Sequence, residues 1–376
     1  MKIKAAVLEE AGLPAPFAQS EPLKIEDVEL TGPDDDEVLV RIAAAGICHS
    51  DLATIEGVRV RPLPIVLGHE ASGVVEEVGA DVSSLRAGDH VVAVFLATCG
   101  VCDACASGRP TLCRAGSEAT AAGTLVSGKR KLYRGSQALH HHSGISSYAE
   151  YATVSARSLV KIDPGVPLQE AAIFGCAVLT GVGAAVNASH ITLGSTVAVI
   201  GLGGVGMSAL LGAVAMGAGR VIAIDMNPAK LVVATQLGAT DVFKATDPDV
   251  AGQIKEATGG GVETSLECAG APAALELAYA IGRPGSELIT VGLPPPSTRL
   301  NVPVLSLVLE ERQVRGSYMG TSVPARDMRR FIDLYMRGRL PVNRLLTHKM
   351  PLAEVNAGMD RLREGTAIRQ VLTFDH

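Results

Sequence analysis

Seven cysteines stand in the 376-residue chain, and four of them form the run Cys99-x2-Cys102-x2-Cys105-x7-Cys113. Four thiolates this close can complete a tetrahedral shell around zinc and leave no open position, which makes a structural site. A ferredoxin-type iron–sulfur site uses similar first spacings, but the long fourth spacing and the absence of proline after Cys113 count against it. Other metal-ligating types are dispersed. Cys48 lies in Gly46-Ile47-Cys48-His49-Ser50-Asp51, His69 and Glu70 in Gly68-His69-Glu70-Ala71-Ser72-Gly73, and Cys176 in Phe174-Gly175-Cys176-Ala177. Spacing alone does not join these three. Taken singly, each cysteine reads as a small buried hydrophobe and His69 as a satisfied core histidine. The run His140-His141-His142 makes a poor chelate, because adjacent strand residues point to opposite faces, and it reads as a pocket wall. Cys268 has no partner in the pattern and reads as sheet packing.

A second chemistry is written between Val197 and Asp225. The β-branched run Val197-Ala198-Val199-Ile200 enters Gly201-Leu202-Gly203-Gly204-Val205-Gly206, a G-x-G-x-x-G turn. An apolar helix pattern, Met207 to Met216, and a second apolar run, Arg220 to Ile224, follow. This order makes a dinucleotide site. Gly201 permits the tight turn, Gly203 lets backbone approach a pyrophosphate, and Gly206 lets helix pack on strand. The helix N-terminus offers free N–H groups to phosphate. Asp225, nineteen residues after Gly206, can accept from a ribose 2′-hydroxyl and would repel a 2′-phosphate, so the expected cofactor is NAD rather than NADP. No Asp, Glu, Lys or Arg occurs from His190 to Gly219, which raises the alternative of a membrane span. Seven glycines between 201 and 219 break that stretch, and no Lys/Arg cluster or aromatic belt flanks it.

The elements that must position these groups fall into two patterns. Up to about residue 178, short strand-like runs (Val38–Ile42, Ser72–Val78, His90–Val94, Tyr148–Val154) alternate with Gly/Pro/Asp turns. Beyond it, strand and helix alternate: a helix over Pro228–Leu237, strands at Val262–Cys268, Glu287–Val291 and Gln313–Tyr318, and a helix over Pro272–Ile281. That is a doubly wound parallel sheet, and the fold class is α/β. Helix patterns over Pro324–Met336 and Leu352–Arg363 precede an apolar ending, Gln370–Phe374, which can return to the first domain. The expected division is 1–178, 179–321 and a returning 322–376. With 47% hydrophobic and 19% charged residues, the composition suits a large globular core. The net charge of −6 without a basic block argues against nucleic acid as partner. The N-terminus has no signal-peptide pattern, and clustered cysteines suit a reducing, cytoplasmic setting.

Together, Gly68-His69-Glu70 with Gly73, the four-cysteine lobe, Cys176, the Gly201–Gly206 turn with Asp225, and the ending Ile368-Arg369-Gln370-Val371-Leu372-Thr373-Phe374 resemble a zinc-dependent alcohol dehydrogenase of the medium-chain dehydrogenase/reductase superfamily. The resemblance covers nearly the whole chain. It implies a β-rich GroES-like catalytic domain plus a Rossmann domain, and two zinc ions per subunit. Cys48, His69 and Cys176 would hold the catalytic one; Cys99, Cys102, Cys105 and Cys113 the structural one. The long loop between Cys113 and the histidine run resembles the long-loop, homodimeric form. By the same resemblance Asp51 orients His69, Glu70 aids ligand exchange, and Ser50 accepts the alcohol proton and passes it to the nicotinamide ribose. Asp225 and Lys230 would meet the adenosine ribose, and His49 and Arg369 the pyrophosphate. Thr180, Val205, Val291 and Leu293 would line the nicotinamide, while Gly201, Gly203, Gly204 and Gly206 form the turn that meets the phosphates. The implied reaction is hydride transfer between a primary alcohol or aldehyde, medium-chain or aromatic, and NAD.

Three positions depart from the family pattern. Ala53 stands where many relatives end the proton relay in histidine, so the proton must leave by another route. The pocket positions read Arg59, Phe95, His142 and Ser143, more polar than usual, which suits an alcohol with a polar or anionic part unless Arg59 points to solvent. Ser117 stands where relatives acting on glutathione adducts carry arginine, which weighs against the alternative of an aldehyde–thiol adduct as substrate. A protein that binds NAD and zinc without catalysis is the remaining alternative, and the presence of all three expected ligands argues against it.

Overall fold

The computed structural model describes residues 1–375. They fall into two compact units: Met1–Cys176 with Val323–Arg329 and the chain from Leu346 onwards, and Ala177–Ser322 with Arg330–Leu345. Residues 330–345 of the returning segment therefore cluster with the second unit.

The first unit is built on two β-sheets. Its central strand, Glu37–Ile47, is almost wholly buried. A near-continuous apolar run has no solvent face to offer, so it takes neighbours on every side. The sequence pattern marks only Val38–Ile42; the strand continues through Ala43-Ala44-Ala45-Gly46 because small residues admit close neighbours there. The neighbouring strand Ala71–Val78 runs antiparallel to it, with Ala45 opposite Ala71. The C-terminal strand Arg369–Thr373 pairs on the other side, with Gln370 opposite Ile47. These registers matter for chemistry. The residues just after Ile47, just before Ala71 and at Arg369 all emerge at one edge of the sheet. In the other sheet Lys2–Leu8 pairs with Leu23–Leu30; its first residues alternate exposed and buried, and Ala5 to Leu8 are all buried.

In the second unit six strands lie parallel in the order Asp241–Lys244, Arg220–Asp225, Thr196–Ile200, Val262–Glu267, Gly282–Thr290, Gln313–Gly316. Thr196–Ile200 pairs with Arg220–Asp225 on one side and Val262–Glu267 on the other, so its apolar residues are buried. The helix Gly204–Ala215 follows it, and its residues from Gly206 to Ala213 are buried. Burial on most sides explains the charge-free stretch without a bilayer. Among the described residues no single helix is long and apolar enough to cross a membrane.

One buried histidine makes the first unit acid-sensitive. His141, in the strand His140–His141, accepts the Lys131 backbone N–H at Nε2 (3.0 Å). Burial pushes its imidazole down to about 3, with Arg130 adding to the effect. The ring is neutral in the fold but takes a proton near pH 6.5 when unfolded. Stability is therefore full above about pH 6.5 and falls progressively toward pH 3, by up to about 5 kcal/mol from this group. A His141→Gln variant is expected to show a shallower loss between pH 6 and 4 in denaturant unfolding. Equal slopes for the two proteins would contradict this assignment.

Candidate active site

The strand edge assembles the dispersed metal-ligating residues. Cys48 follows Ile47, and His69 and Glu70 precede Ala71 on the neighbouring strand. Cys176 arrives from the tight turn Ala172–Gly175. Two glycines make the approach possible: a Cβ on Gly46 would lie 2.6 Å from Glu70 Cδ, and one on Gly175 would lie 2.3 Å from the Ala93 carbonyl oxygen. Ligand atoms of Cys48, His69, Glu70 and Cys176 lie within 4.8 Å of one another, and all four residues are buried. The Cys48 and Cys176 sulfurs are 3.9 Å apart. Two thiolates on one tetrahedral zinc at about 2.3 Å would stand about 3.8 Å apart. His69 Nε2 is buried without a hydrogen-bond partner. A buried polar nitrogen left in this way is costly unless something else binds it. The residues thus fit a zinc ion, with two thiolates and one imidazole as donors.

The surroundings orient these donors. Asp51 is the third residue of the helix His49–Ile55 and is fully buried. Its carboxylate accepts the backbone N–H groups of Cys48 and Gly68, each at 3.2 Å, and lies 3.1 Å from His69 Nδ1. Despite the opposing effect of burial, His69 and His142 hold Asp51 well below the usual carboxylate range. With Nδ1 engaged, Nε2 is the nitrogen left for a metal. The contact between the two sulfurs holds the Cys48 thiol below and the Cys176 thiol above the usual range. Burial pushes Glu70 up to about 7 against the pull of Arg369, with which it forms a buried ion pair.

The second constellation is compact. Cys99, Cys102, Cys105 and Cys113 place their sulfurs within 4.8 Å of one another. Backbone N–H groups of Cys99 and Gly116 point at the Cys113 sulfur, and that of Cys102 at the Cys99 sulfur, at 3.3 to 3.4 Å. The N–H groups of Val101 and Cys102 bring the Cys99 thiol down to about 6. Burial and the neighbouring Cys102 push Cys105 up to about 12. Four thiolates cannot ionise together without a cation among them, and a zinc ion fits.

In the second unit the glycine turn has the expected steric logic. Gly201 sits at φ +87°. A Cβ on Gly206 would lie 1.8 Å from the Gly201 carbonyl oxygen, whereas one on Gly203 would meet nothing within 4 Å. The space at Gly203 is open to a phosphate, and the helix from Gly204 starts with no side-chain cap competing for its N–H groups. Asp225 ends its strand, accepting the Leu202 N–H at 2.6 Å and the Asn227 N–H at 2.8 Å. These residues fit a dinucleotide.

Known proteins share the fold. Residues 34–164 match the alcohol dehydrogenase GroES-like domain family, and residues 204–337 match the zinc-binding dehydrogenase family. An alcohol dehydrogenase zinc-binding domain protein from Burkholderia ambifaria is 36% identical over 100% of both chains, with a TM-score of 0.94. The benzyl alcohol dehydrogenase of Acinetobacter calcoaceticus is 32% identical over 100% of both chains, TM-score 0.93. An alcohol dehydrogenase from Thermus sp. ATN1 is 27% identical over 98% of this chain and 99% of its own, TM-score 0.81. The chain belongs to the zinc-binding alcohol dehydrogenase family. It has the GroES-like β domain and Rossmann-type parallel sheet of the medium-chain dehydrogenase/reductase superfamily.

Within that family frame, the remaining expected residues are placed as follows. His142 stands edge-on to His69, ring centroids 5.2 Å apart, and Phe95 stands edge-on at 5.4 Å. His142 Nδ1 lies 3.1 Å from Asp51 Oδ1. Of the histidine run only His142 reaches this cluster; His141 turns to Lys131, and His140 Nδ1 lies 3.2 Å from the Ala122 carbonyl. Ser143 is buried in a left-handed conformation, φ +54°. Ser50 is half-buried, and Arg59 donates to its hydroxyl at 3.0 Å rather than pointing to solvent. His49 is exposed. Arg369, expected at a pyrophosphate, is buried and paired with Glu70. Lys230 is half-buried in the helix Pro228–Gln236, beyond Asp225. Thr180 and Val291 are buried, Val205 half-buried and Leu293 exposed, all in the second unit. Two contacts have no sequence signal: the Glu70–Arg369 pair spans 299 residues, and the Arg59–Ser50 bond depends on a turn.

Proposed function

We propose that the protein is an NAD-dependent zinc alcohol dehydrogenase acting on primary alcohols, medium-chain or aromatic, and their aldehydes. The observation that carries this reading is the buried convergence of Cys48, His69 and Cys176, with His69 Nε2 lacking any partner. Likeness to a benzyl alcohol dehydrogenase supports the aromatic class. Cys48, His69 and Cys176 would hold one zinc, and Cys99, Cys102, Cys105 and Cys113 a second. The catalytic zinc supplies a Lewis acid that eases ionisation of an alcohol near neutral pH. The nicotinamide supplies the hydride acceptor.

The chain's own groups do the rest. Asp51 fixes the His69 ring and its tautomer. Ser50 takes the alcohol proton. Ala53 offers no relay beyond it, so the proton leaves from the ribose to water. Glu70, held by Arg369, keeps a carboxylate beside the ligands to aid exchange. Gly201, Gly203, Gly204 and Gly206 would cradle the pyrophosphate with His49 and Arg369, Val205 would line the nicotinamide, and Asp225 and Lys230 would take the adenosine ribose. We further propose a homodimer. The helix Val304–Leu309 exposes Val304, Leu305, Val308 and Leu309 beside the exposed edge strand Gln313–Gly316, an apolar face with an unpaired sheet edge. Seven free cysteines suit a reducing compartment such as the cytoplasm.

NAD reduction by the zinc-replete protein, measured across aliphatic, aromatic and polar-substituted primary alcohols, tests the reading. Turnover that varies across the panel supports it. Silence across the panel, with zinc and NAD bound, would leave an aldehyde–thiol adduct or no catalysis at all. Asp225→Ala is expected to weaken NAD binding about tenfold and to narrow the preference over NADP. An unchanged NAD/NADP ratio would refute the cofactor assignment.

A further inference from the structure

Among the described residues the guanidinium of Arg59 has no acidic partner. Its Nη1 donates to Ser50 Oγ at 3.0 Å, and among the described residues no carboxylate forms an ion pair with it. The side chain is half-buried. Its backbone is fixed too: the Arg59 N–H donates to the Ala53 carbonyl at 2.8 Å, after a turn through Gly57 at φ +74°. The turn folds Arg59 back onto the helix that carries Ser50. A second guanidinium follows two residues later. Arg61 Nη1 donates to the Thr120 carbonyl at 3.2 Å, and its charge reaches His142, helping to keep that buried ring neutral. The carboxylates of this region are already matched. Asp51 faces His69 and His142, and Glu70 faces Arg369.

A cation partly withdrawn from water beside a neutral hydroxyl is under-compensated. Arginine presents five N–H donors in a planar fork, and one of them is engaged by Ser50. We propose that Arg59 is the anion subsite of the substrate pocket, and that the preferred substrate is a primary alcohol or aldehyde bearing a carboxylate. This rests on the dehydrogenase reading, in which Ser50 touches the reacting oxygen. The distances then limit the substrate. One hydrogen bond from the reacting oxygen to Ser50, one from Ser50 to Arg59, the width of the guanidinium and one bond from it to the acid place that acid within about 11 Å of the carbinol oxygen. Short hydroxy acids and hydroxymethylbenzoates satisfy the limit in extended form, and long-chain hydroxy fatty acids do not.

The test compares matched pairs on the zinc-replete protein with saturating NAD. The value of kcat/KM for 3-(hydroxymethyl)benzoate is expected to exceed that for benzyl alcohol at least about tenfold, chiefly through KM. Arg59→Gln collapses the ratio toward one. Arg59→Lys, which keeps the charge without the fork, gives an intermediate ratio. A binding arm needs no turnover: calorimetry should find isophthalate bound about tenfold more tightly than benzoate, and that advantage should vanish in Arg59→Gln. Turnover of benzyl alcohol with no preference for the acid, or a preference that survives Arg59→Gln, overturns the subsite and leaves the dehydrogenase reading standing. Silence on both members of the pair refutes that reading and the subsite with it.

Discussion

A Cys48→Ser protein is expected to lose one of two zinc ions per chain and at least about a thousandfold of its NAD-linked turnover, on the order of 4 kcal/mol of barrier. The reason is geometric. Cys48 is buried where the end of its strand meets that of Glu70, 3.9 Å from the Cys176 sulfur. A serine hydroxyl is shorter and does not ionise, so it cannot replace a thiolate donor there. The Asp51 carboxylate still accepts the backbone N–H of residue 48, so the helix His49–Ile55 should form as before. NAD binding should persist, since Gly201–Gly206 and Asp225 lie in the other unit. Metal analysis, NADH binding and rate therefore separate in one variant. A protein that kept both zinc ions, or turned over within tenfold of the parent, would contradict the catalytic-zinc assignment.

The second large effect is expected in the cysteine lobe. Cys113 does two jobs: its sulfur belongs to the four-thiolate cluster, and it caps the helix Arg114–Ala122 by accepting the Gly116 N–H at 3.4 Å. Gly116 itself packs so closely that a Cβ there would lie 1.6 Å from the Ala97 carbonyl oxygen. Few apolar side chains in the lobe are buried, so a metal held by the four thiolates would be its main cross-link. Cys113→Ala should release one zinc, destabilise the fold by about 4 kcal/mol or more, and open the segment around residues 99–123 to protease. Retention of two zinc ions with an unchanged melting temperature and digestion pattern would sink the structural-zinc assignment.

What could be read from the sequence follows from how local each feature is. The glycine turn is legible because its constraints are steric and lie within six residues. Gly206 must be glycine because the Gly201 carbonyl occupies the space of a Cβ. The cysteine lobe is legible because four ligands within fifteen residues can meet only one another. Cys48, His69 and Cys176 are different. Two strand registers and a tight turn bring them together, and no spacing rule encodes those, so only resemblance to a family joins them. The strand Lys2–Leu8 opens with a period-two alternation, Lys2-Ile3-Lys4-Ala5, too short by itself to fix its pairing with Leu23–Leu30. The polarity of Arg59 and His142 is visible in the sequence, but their directions are not. Arg59 turns to Ser50 through a glycine turn, and His142 to Asp51 through a strand end. Arg369 shows the limit most plainly: its pairing with Glu70 depends on the register of the last strand, which no local pattern encodes.

The most direct measurement follows one atom. The zinc-replete protein is incubated with NAD and benzyl alcohol carrying deuterium at both carbinol positions, and the reduced cofactor is analysed by mass spectrometry. Zinc-dependent hydride transfer predicts one deuterium on the nicotinamide ring of each reduced cofactor, none formed by the metal-stripped protein, and recovery when zinc is restored. Reduced cofactor without deuterium, or labelled cofactor formed equally well after Cys48→Ser, would contradict it.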